Sequence, residues 1–174
     1  MTRTLPALVC AAVLLVGCGA VARPVPTQDR EAFSRLGALA GEWHYASSSG
    51  VTSAQYALVS RGSALLETWT GPSGAQTLTV YHPDHATVML THYCAQGNQA
   101  VLRLTEASAT SFRFERESAT NVTADQAVLT TLELTLEGDA LVRVETYVDA
   151  SGTAEVTTMR FVRAPTADPA ATRP

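Results

Sequence analysis

Residues 91–99, THYCAQGNQ, combine the side chains of this chain that are best suited to chemistry. His92 and Cys94 are two positions apart, and a period of two puts both side chains on one face of a β-strand. Val88 and Leu90 share that parity, so we take this face as the interior of the fold. An imidazole and a thiol are therefore predicted side by side near the end of an interior strand.

Acid–base catalysis is one reading of this region, with Glu67 and Tyr81 as the partners of His92. Glu67 and His92 are predicted at similar depth on the third and fifth strands, about 10 Å apart at a spacing of about 4.8 Å per strand. A direct hydrogen bond needs about 2.6–3.2 Å between heavy atoms. A bridging group or a water is therefore expected between them. A solvated Glu67 and a purely structural His92 remain open alternatives.

A zinc site is a second reading, because zinc accepts both imidazole and thiolate ligands. His92 and Cys94 supply only two ligands, and His44 would be the third only if it pointed inward. No bound metal and no cofactor are therefore predicted.

The hairpin that ends in this stretch is expected to turn at Gly97-Asn98. Glycine followed by asparagine suits the two central positions of a type II′ turn. Asn98 would then lie at the tip of the hairpin.

The first 18 residues have the pattern of a secretory signal. Arg3 is followed by an apolar run that is too short to span a bilayer comfortably, and residues 15–18, LVGC, have the pattern of a bacterial lipobox. Cys18 is therefore predicted to carry lipid and to be the only membrane contact. The protein is expected to be anchored in the bacterial cell envelope.

Residues 19–27 are predicted to be a flexible tether, residues 28–163 a single domain, and residues 164–174 a disordered tail. If Cys10 leaves with the signal and Cys18 is lipidated, Cys94 has no disulfide partner. A lone thiol in an oxidising compartment is expected to be buried.

The domain is predicted to be all-β after one short helix. Thr27 is a candidate N-cap, and Phe33, Leu36 and Leu39 recur at helical spacing before Gly41. Short alternating segments separated by turn residues then indicate an antiparallel meander that closes into an up-and-down barrel. The ten predicted strands cover residues 42–48, 52–59, 63–70, 76–82, 86–94, 99–107, 110–117, 127–137, 140–149 and 154–163.

Composition excludes one class of partner. The net charge is −4, and all 12 basic residues are arginine. Nucleic-acid binding rests largely on phosphate neutralisation, so no nucleic-acid partner is expected. Arg103, Arg143 and Arg160 lie in the middle of predicted strands. Each either points to solvent or, if buried, needs a carboxylate or an anionic ligand.

The GSALLET segment at residues 62–68, together with THYCAQGNQ, resembles an uncharacterised family of bacterial secreted proteins near the lipocalin-like (calycin) group. The resemblance extends over about residues 36–163. It implies a ten-stranded meander barrel and brings no established activity. Gly41-x-Trp43 is similar to the opening motif of calycin barrels, in which the tryptophan packs across the barrel floor. Haem, which nitrobindin-like barrels bind through a late histidine, is not expected, because His92 is the last histidine.

A ligand is expected at the barrel mouth, the end that the helix does not cover. The leading prediction is a protein that binds a small, apolar or amphiphilic ligand inside the barrel. The alternatives are a hydrolase- or isomerase-like enzyme that uses His92 and Glu67, and a non-catalytic protein-interaction module. The candidate ligand-binding residues are Trp43, Glu67, Trp69, Tyr81, His92, Cys94 and Asn98.

Overall fold

The computed structural model describes residues 27–165, with side chains from Arg30 onward. The predicted signal peptide and Cys18 lie outside these residues, as does most of the predicted tether and tail. Helix α1 spans Thr27–Leu36 and continues as a short 3-10 turn, Gly37–Leu39. No helix of the described part is long and apolar enough to cross a bilayer.

Ten antiparallel strands form a closed up-and-down barrel, as predicted. Each strand pairs with its neighbours in sequence, and β1 closes the barrel against β10. Every predicted strand is present, with ends that differ by at most three residues. The strands are β1 Gly41–Ser47, β2 Gly50–Val59, β3 Ala64–Thr70, β4 Gln76–Asp84, β5 Thr87–Tyr93, β6 Gln99–Ala107, β7 Ser111–Thr120, β8 Val128–Glu137, β9 Ala140–Val148 and β10 Ala154–Arg163.

The end of β7 was predicted wrongly. The sequence indicated a polar loop from residue 118, but β7 continues to Thr120 and pairs with the start of β6. The register between β6 and β7 shifts twice, once between Val101 and Leu102 and once between Leu104 and Glu106. Such irregularities bend and twist a strand pair locally. Residues 118–120, which show no alternation of apolar and polar side chains, can therefore still pair with β6.

The predicted turn at Gly97-Asn98 is also wrong. Gly97 N–H donates to the Cys94 carbonyl (2.9 Å), and Cys94 N–H donates to the Asn98 carbonyl (3.0 Å). The central residues of the turn are therefore Ala95 and Gln96. Gly97 follows them with φ of +96°, the left-handed conformation that a three-residue hairpin loop places after a type I turn. Asn98 is buried beyond the turn instead of lying at its tip.

The helix covers one end of the barrel, which we call the helix end. Phe33, Leu36 and Leu39 are buried there, as their spacing predicted. Trp43 is fully buried beneath them, and its indole Nε1–H donates to the Leu39 carbonyl (2.8 Å). This contact joins the helical segment to the first strand and forms the barrel floor.

The opposite end, which we call the mouth end, carries the turns that follow β1, β3, β5, β7 and β9, because strand direction alternates around the barrel. Below it, the interior on the β6–β8 side is filled by apolar side chains. The fully buried ones include Leu102, Phe114 and Leu132.

Candidate functional site

A group of polar side chains lies inside the barrel, where side chains of β2, β3 and β4 meet those of β9. We call it the Glu67–Arg143 cluster; its members are Tyr56, Glu67, Tyr81, Arg143 and Glu145, and all are buried. Alternation along each strand places them. In β9, for example, Leu141, Arg143 and Glu145 are buried at every second position.

Glu67 and Arg143 form the centre of the cluster. Glu67 Oε1 lies 2.9 Å from Arg143 Nη1, and both side chains are 0% exposed. Tyr81 donates its hydroxyl proton to Glu67 Oε2 (2.6 Å). The charge of Glu67 is thus balanced by a guanidinium on one oxygen and hydrogen-bonded on the other, as a buried carboxylate requires.

Arg143 makes three further contacts. Its Nε–H donates to Glu145 Oε1 (2.7 Å), and its Nη1–H donates to the Tyr56 hydroxyl (3.1 Å). Its guanidinium carbon lies 4.9 Å from the centroid of the Trp69 ring. Trp69 is half-buried and lies closer to the mouth end than Glu67 on the same strand. Its indole therefore lies next to the buried guanidinium on the side of the mouth.

Two atoms of this cluster lack a hydrogen-bond partner among the described residues. They are Arg143 Nη2 and Glu67 Oε1, both buried. Glu67 Oε1 is close enough to Arg143 for a strong charge interaction but is not aligned for a hydrogen bond. Leaving Arg143 Nη2 without a partner is costly, on the order of 1–3 kcal/mol, whereas the charge of Glu67 Oε1 is compensated by Arg143. The cluster therefore retains the N–H groups of Arg143 Nη2 and a lone pair of Glu67 Oε1 for further hydrogen bonds.

Burial and the charge of the carboxylates together shift the pKa values of Arg143, Tyr56 and Tyr81. Burial alone would lower the pKa of Arg143, but Glu67 and Glu145 outweigh it and hold this pKa well above its usual value. Burial, followed by the charge of Glu67, raises the pKa of both Tyr56 and Tyr81 well above 10. Arg143 is therefore charged and both phenols are neutral at neutral pH.

His92 belongs to a neighbouring group with Thr79 and Tyr147. Its Nδ1 lies 3.0 Å from Thr79 Oγ1, and its Nε2 lies 3.2 Å from the Tyr147 hydroxyl. Burial, followed by the nearby charge of Arg143, lowers the pKa of His92. A neutral imidazole with one donor and one acceptor matches these two hydroxyl partners.

The two groups are adjacent but not joined by a direct contact between Glu67 and His92. Thr79 lies between them, paired in register with Glu67 on one side and with His92 on the other. The expectation of an intervening group agrees with this arrangement. It does not favour acid–base catalysis by Glu67 and His92, because Glu67 is engaged by Tyr81 and Arg143.

The other predicted site residues are spread along the barrel. Trp43 lies at the floor, away from the polar groups. Cys94 is half-buried rather than buried, because β5 ends at Tyr93 and the thiol lies in the turn. Asn98 donates through Nδ2 to Gln126 Oε1 (3.1 Å) and to the Ala127 carbonyl (3.3 Å), so it holds the loop between β7 and β8.

The residues considered for zinc do not converge. His44 lies on the outer face of β1, where its Nε2 contacts Glu42 Oε1 (2.8 Å). Among the described residues, no group of three or more His, Cys, Asp or Glu side chains is arranged to hold a metal ion.

From the sequence, the orientation of Arg143 was open, and Glu145, Tyr56 and Tyr147 were not predicted to be site residues. Arg143 is the buried arginine of the three considered, whereas Arg103 and Arg160 are exposed and pair with Glu117 and Glu137 on the outer face. The alternation of side chains along β9 could have identified three of them, because Arg143, Glu145 and Tyr147 share the face of Leu141.

Four pockets of about 280–430 Å³ open on the outer surface of the described domain. None of the four is lined by Glu67, Arg143 or His92. The polar side chains inside the barrel are buried.

No protein-family model matches this sequence, and no curated protein matches it with significance. Of the resemblance drawn from GSALLET and THYCAQGNQ, the ten-stranded up-and-down barrel is what the structure shows. The fold and the buried polar side chains are therefore the basis for any functional conclusion.

Proposed function

We propose that this chain is a lipid-anchored protein of the bacterial cell envelope whose barrel binds a small amphiphilic molecule from the mouth end. The observation that carries the binding proposal is the pair of buried atoms without a hydrogen-bond partner, Arg143 Nη2 and Glu67 Oε1. A ligand group that formed hydrogen bonds with both atoms would be stabilised by them, because no described side chain does so.

The charges of the cluster favour a neutral polar group on the ligand. Arg143 is already in contact with two carboxylates, those of Glu67 and Glu145. A third anion would add repulsion in a buried environment, where charge interactions are strong. A hydroxyl or a carboxamide can accept from Arg143 Nη2 and donate to Glu67 Oε1 without adding charge.

Aromatic side chains beside the cluster would hold the apolar part of the ligand. Trp69 packs edge-on against Phe161, with ring centroids 5.6 Å apart, and Tyr45 lies 5.7 Å from the same ring. Trp69 and Tyr45 are half-buried and lie toward the mouth end. Movement of the Trp69 indole off Arg143 would open the path to the unpartnered nitrogen.

Anchoring through Cys18 rests on the lipobox pattern of residues 15–18 alone. An attached lipid would hold the protein at a membrane surface and leave the domain in the aqueous compartment.

Native mass spectrometry of the full chain, purified from membranes in mild detergent, tests the binding proposal. We expect an adduct on the wild-type protein that is released on denaturation. The adduct should be lost from His92→Ala, because His92 and its partners border the cluster, and retained by His85→Ala, whose exposed imidazole lies in the turn at the helix end. If His92→Ala unfolds, the histidine is structural, and Trp69→Ala then takes its place in the comparison.

A protein-interaction module is the second candidate. The outward position of the four pockets favours it. A barrel in this role would carry no adduct, and the His92→Ala and His85→Ala spectra would match that of the wild type.

A further inference from the structure

The barrel is closed by its shortest strand pairing. Cα pairing between β1 and β10 is limited to Trp43 with Arg163 and His44 with Val162, whereas β10 pairs with β9 from Ala154 to Val162. The two strands therefore meet near the helix end and are unpaired toward the mouth end.

Strand length explains most of this difference. Continuing the register from Trp43 opposite Arg163 puts Ser47, the last residue of β1, opposite Met159. Residues 154–158 thus extend past the end of β1, and no strand of the described residues lies beside them on that side. We call residues 154–158 the free edge of β10.

The turn between β1 and β2 forms no ladder pair and no backbone hydrogen bond with residues 154–158. Gly50, which follows this turn, lies beside the loop between β3 and β4, since a Cβ atom added there would lie 3.1 Å from Pro72. All five side chains of the free edge are exposed, and Val156 is 62% exposed.

Two backbone hydrogen bonds show which way the N–H and C=O groups of β10 point. The Ala164 N–H donates to the Glu42 carbonyl in β1 (2.8 Å), and the Arg163 N–H donates to the Asp139 carbonyl next to β9 (3.1 Å). Because the direction of these groups alternates along a strand, the backbone N–H and C=O of even-numbered residues point toward β1 and those of odd-numbered residues toward β9. Ala154, Val156 and Thr158 therefore direct N–H and C=O groups out of the free edge.

We propose that the free edge of β10 pairs antiparallel with the same edge of a second copy of this chain, around a two-fold axis at Val156. In this register Val156 lies opposite its counterpart, Ala154 opposite Thr158, and Glu155 opposite Thr157. Three hydrogen-bonded pairs supply about six backbone hydrogen bonds.

The edge is self-complementary in charge and shape. No like charges oppose each other, since Glu155 meets a threonine, and Val156 forms a β-branched pair on the outer face. The free edge contains no proline, and its pairing with β9 has no register shift, so two common means of blocking an edge are missing from this segment. The interface is smaller than the roughly 1,200 Å² of a stable complex, so the dimer is weak and depends on concentration.

Sedimentation of the full chain in mild detergent over a range of concentrations tests the pairing, with charge reversal at the two-fold position. Val156→Glu and Val156→Arg each place like charges opposite each other, and we expect each to weaken dimerisation about tenfold or more, which corresponds to about 1.4 kcal/mol. Mixing the two variants should restore dimerisation, as a heterodimer, because the glutamate and the arginine that then face each other have charges of opposite sign.

The matched control is Val162, a similarly exposed valine (56%) at the other end of β10, where the strand pairs with β1. Val162→Glu, Val162→Arg and their mixture should dimerise like the wild type. The proposal is overturned if the wild type remains monomeric at every concentration, or if Val156→Glu and Val156→Arg dimerise alone as well as the wild type does. Val156→Pro provides a second check, because it removes an N–H that points out of the edge and leaves the bonds to β9 in place. It should also abolish the dimer.

Discussion

Glu67 Oε1 and Arg143 Nη1 meet 2.9 Å apart inside the barrel, with both side chains fully buried. The two residues come from strands on opposite sides of the β1–β10 closure, β3 and β9. Their pairing therefore depends on the barrel being closed. It also brings charge into an interior that is otherwise largely apolar, so its integrity is expected to affect the stability of the whole domain.

Arg143→Met should destabilise the domain strongly. The substitution leaves Glu67 and Glu145 buried without their cation, and breaking a buried pair in this way costs about 3–5 kcal/mol. Urea denaturation measures the free energy of unfolding. Arg103→Met is the control, because the pair that Arg103 forms with Glu117 is exposed and contributes little. Equal effects of the two substitutions would contradict a stabilising role for the buried pair.

Tyr81→Phe should reduce stability by about 1–3 kcal/mol, because Glu67 Oε2 loses its hydroxyl donor without gaining access to water. Tyr93→Phe removes the same hydroxyl from a side chain that is 44% exposed and should have little effect. Thermal unfolding followed by circular dichroism compares the two variants. A Tyr81→Phe protein as stable as Tyr93→Phe would mean that the buried hydrogen bond contributes nothing net.

The stability of the domain should fall as the pH is lowered below about 6.5, the ordinary pKa of histidine. The pKa of His92 is lower in the folded state, because of burial and of Arg143. Between the two pKa values the unfolded chain binds a proton that the folded chain does not, so acid favours unfolding. Denaturation at a series of pH values measures this slope.

His92→Gln removes the titrating group and keeps a side chain that can both donate and accept hydrogen bonds. His44, His82 and His85 are present in both proteins, so the difference between the two pH profiles isolates His92. A variant with the same slope as the wild type would assign the pH dependence to other groups.

Arg163→Ala should loosen the closure of the barrel at the helix end. The Arg163 guanidinium donates to the carbonyls of Ala40 (2.9 Å) and Ala38 (3.0 Å) and lies 4.0 Å from the centroid of the Trp43 ring. Their loss should cost roughly 1–3 kcal/mol.

Hydrogen exchange measures where the barrel opens. We expect faster exchange in β1 and in the segment after α1 than elsewhere in the barrel. Arg160→Ala is the control on the same strand, because Arg160 pairs with Glu137 on the outer face. Uniformly faster exchange in all ten strands would contradict a local role for Arg163.

The sequence alone determined the helix, the ten strands and the closed meander. Local signals carry this information: period-two alternation as in β8, and turn residues such as Gly138 between β8 and β9. The sequence also predicted the interior position of His92, because Val88 and Leu90 define the face on which it lies. The turn at Ala95-Gln96 was missed, since Gly97 suits more than one hairpin geometry.

Only the tertiary structure decided which polar residues meet. Arg143 is far from Glu67, Tyr56 and Tyr81 in the sequence, but contacts Glu67 and Tyr56 in the barrel. The sequence did not distinguish Arg143 from the two other mid-strand arginines, because burial depends on the closed barrel. The free edge of β10 likewise follows from the unequal lengths of two paired strands that lie at opposite ends of the domain's sequence. Parity assigns a side chain to a face, but its partner across the barrel is set by closure and register, which no local pattern encodes.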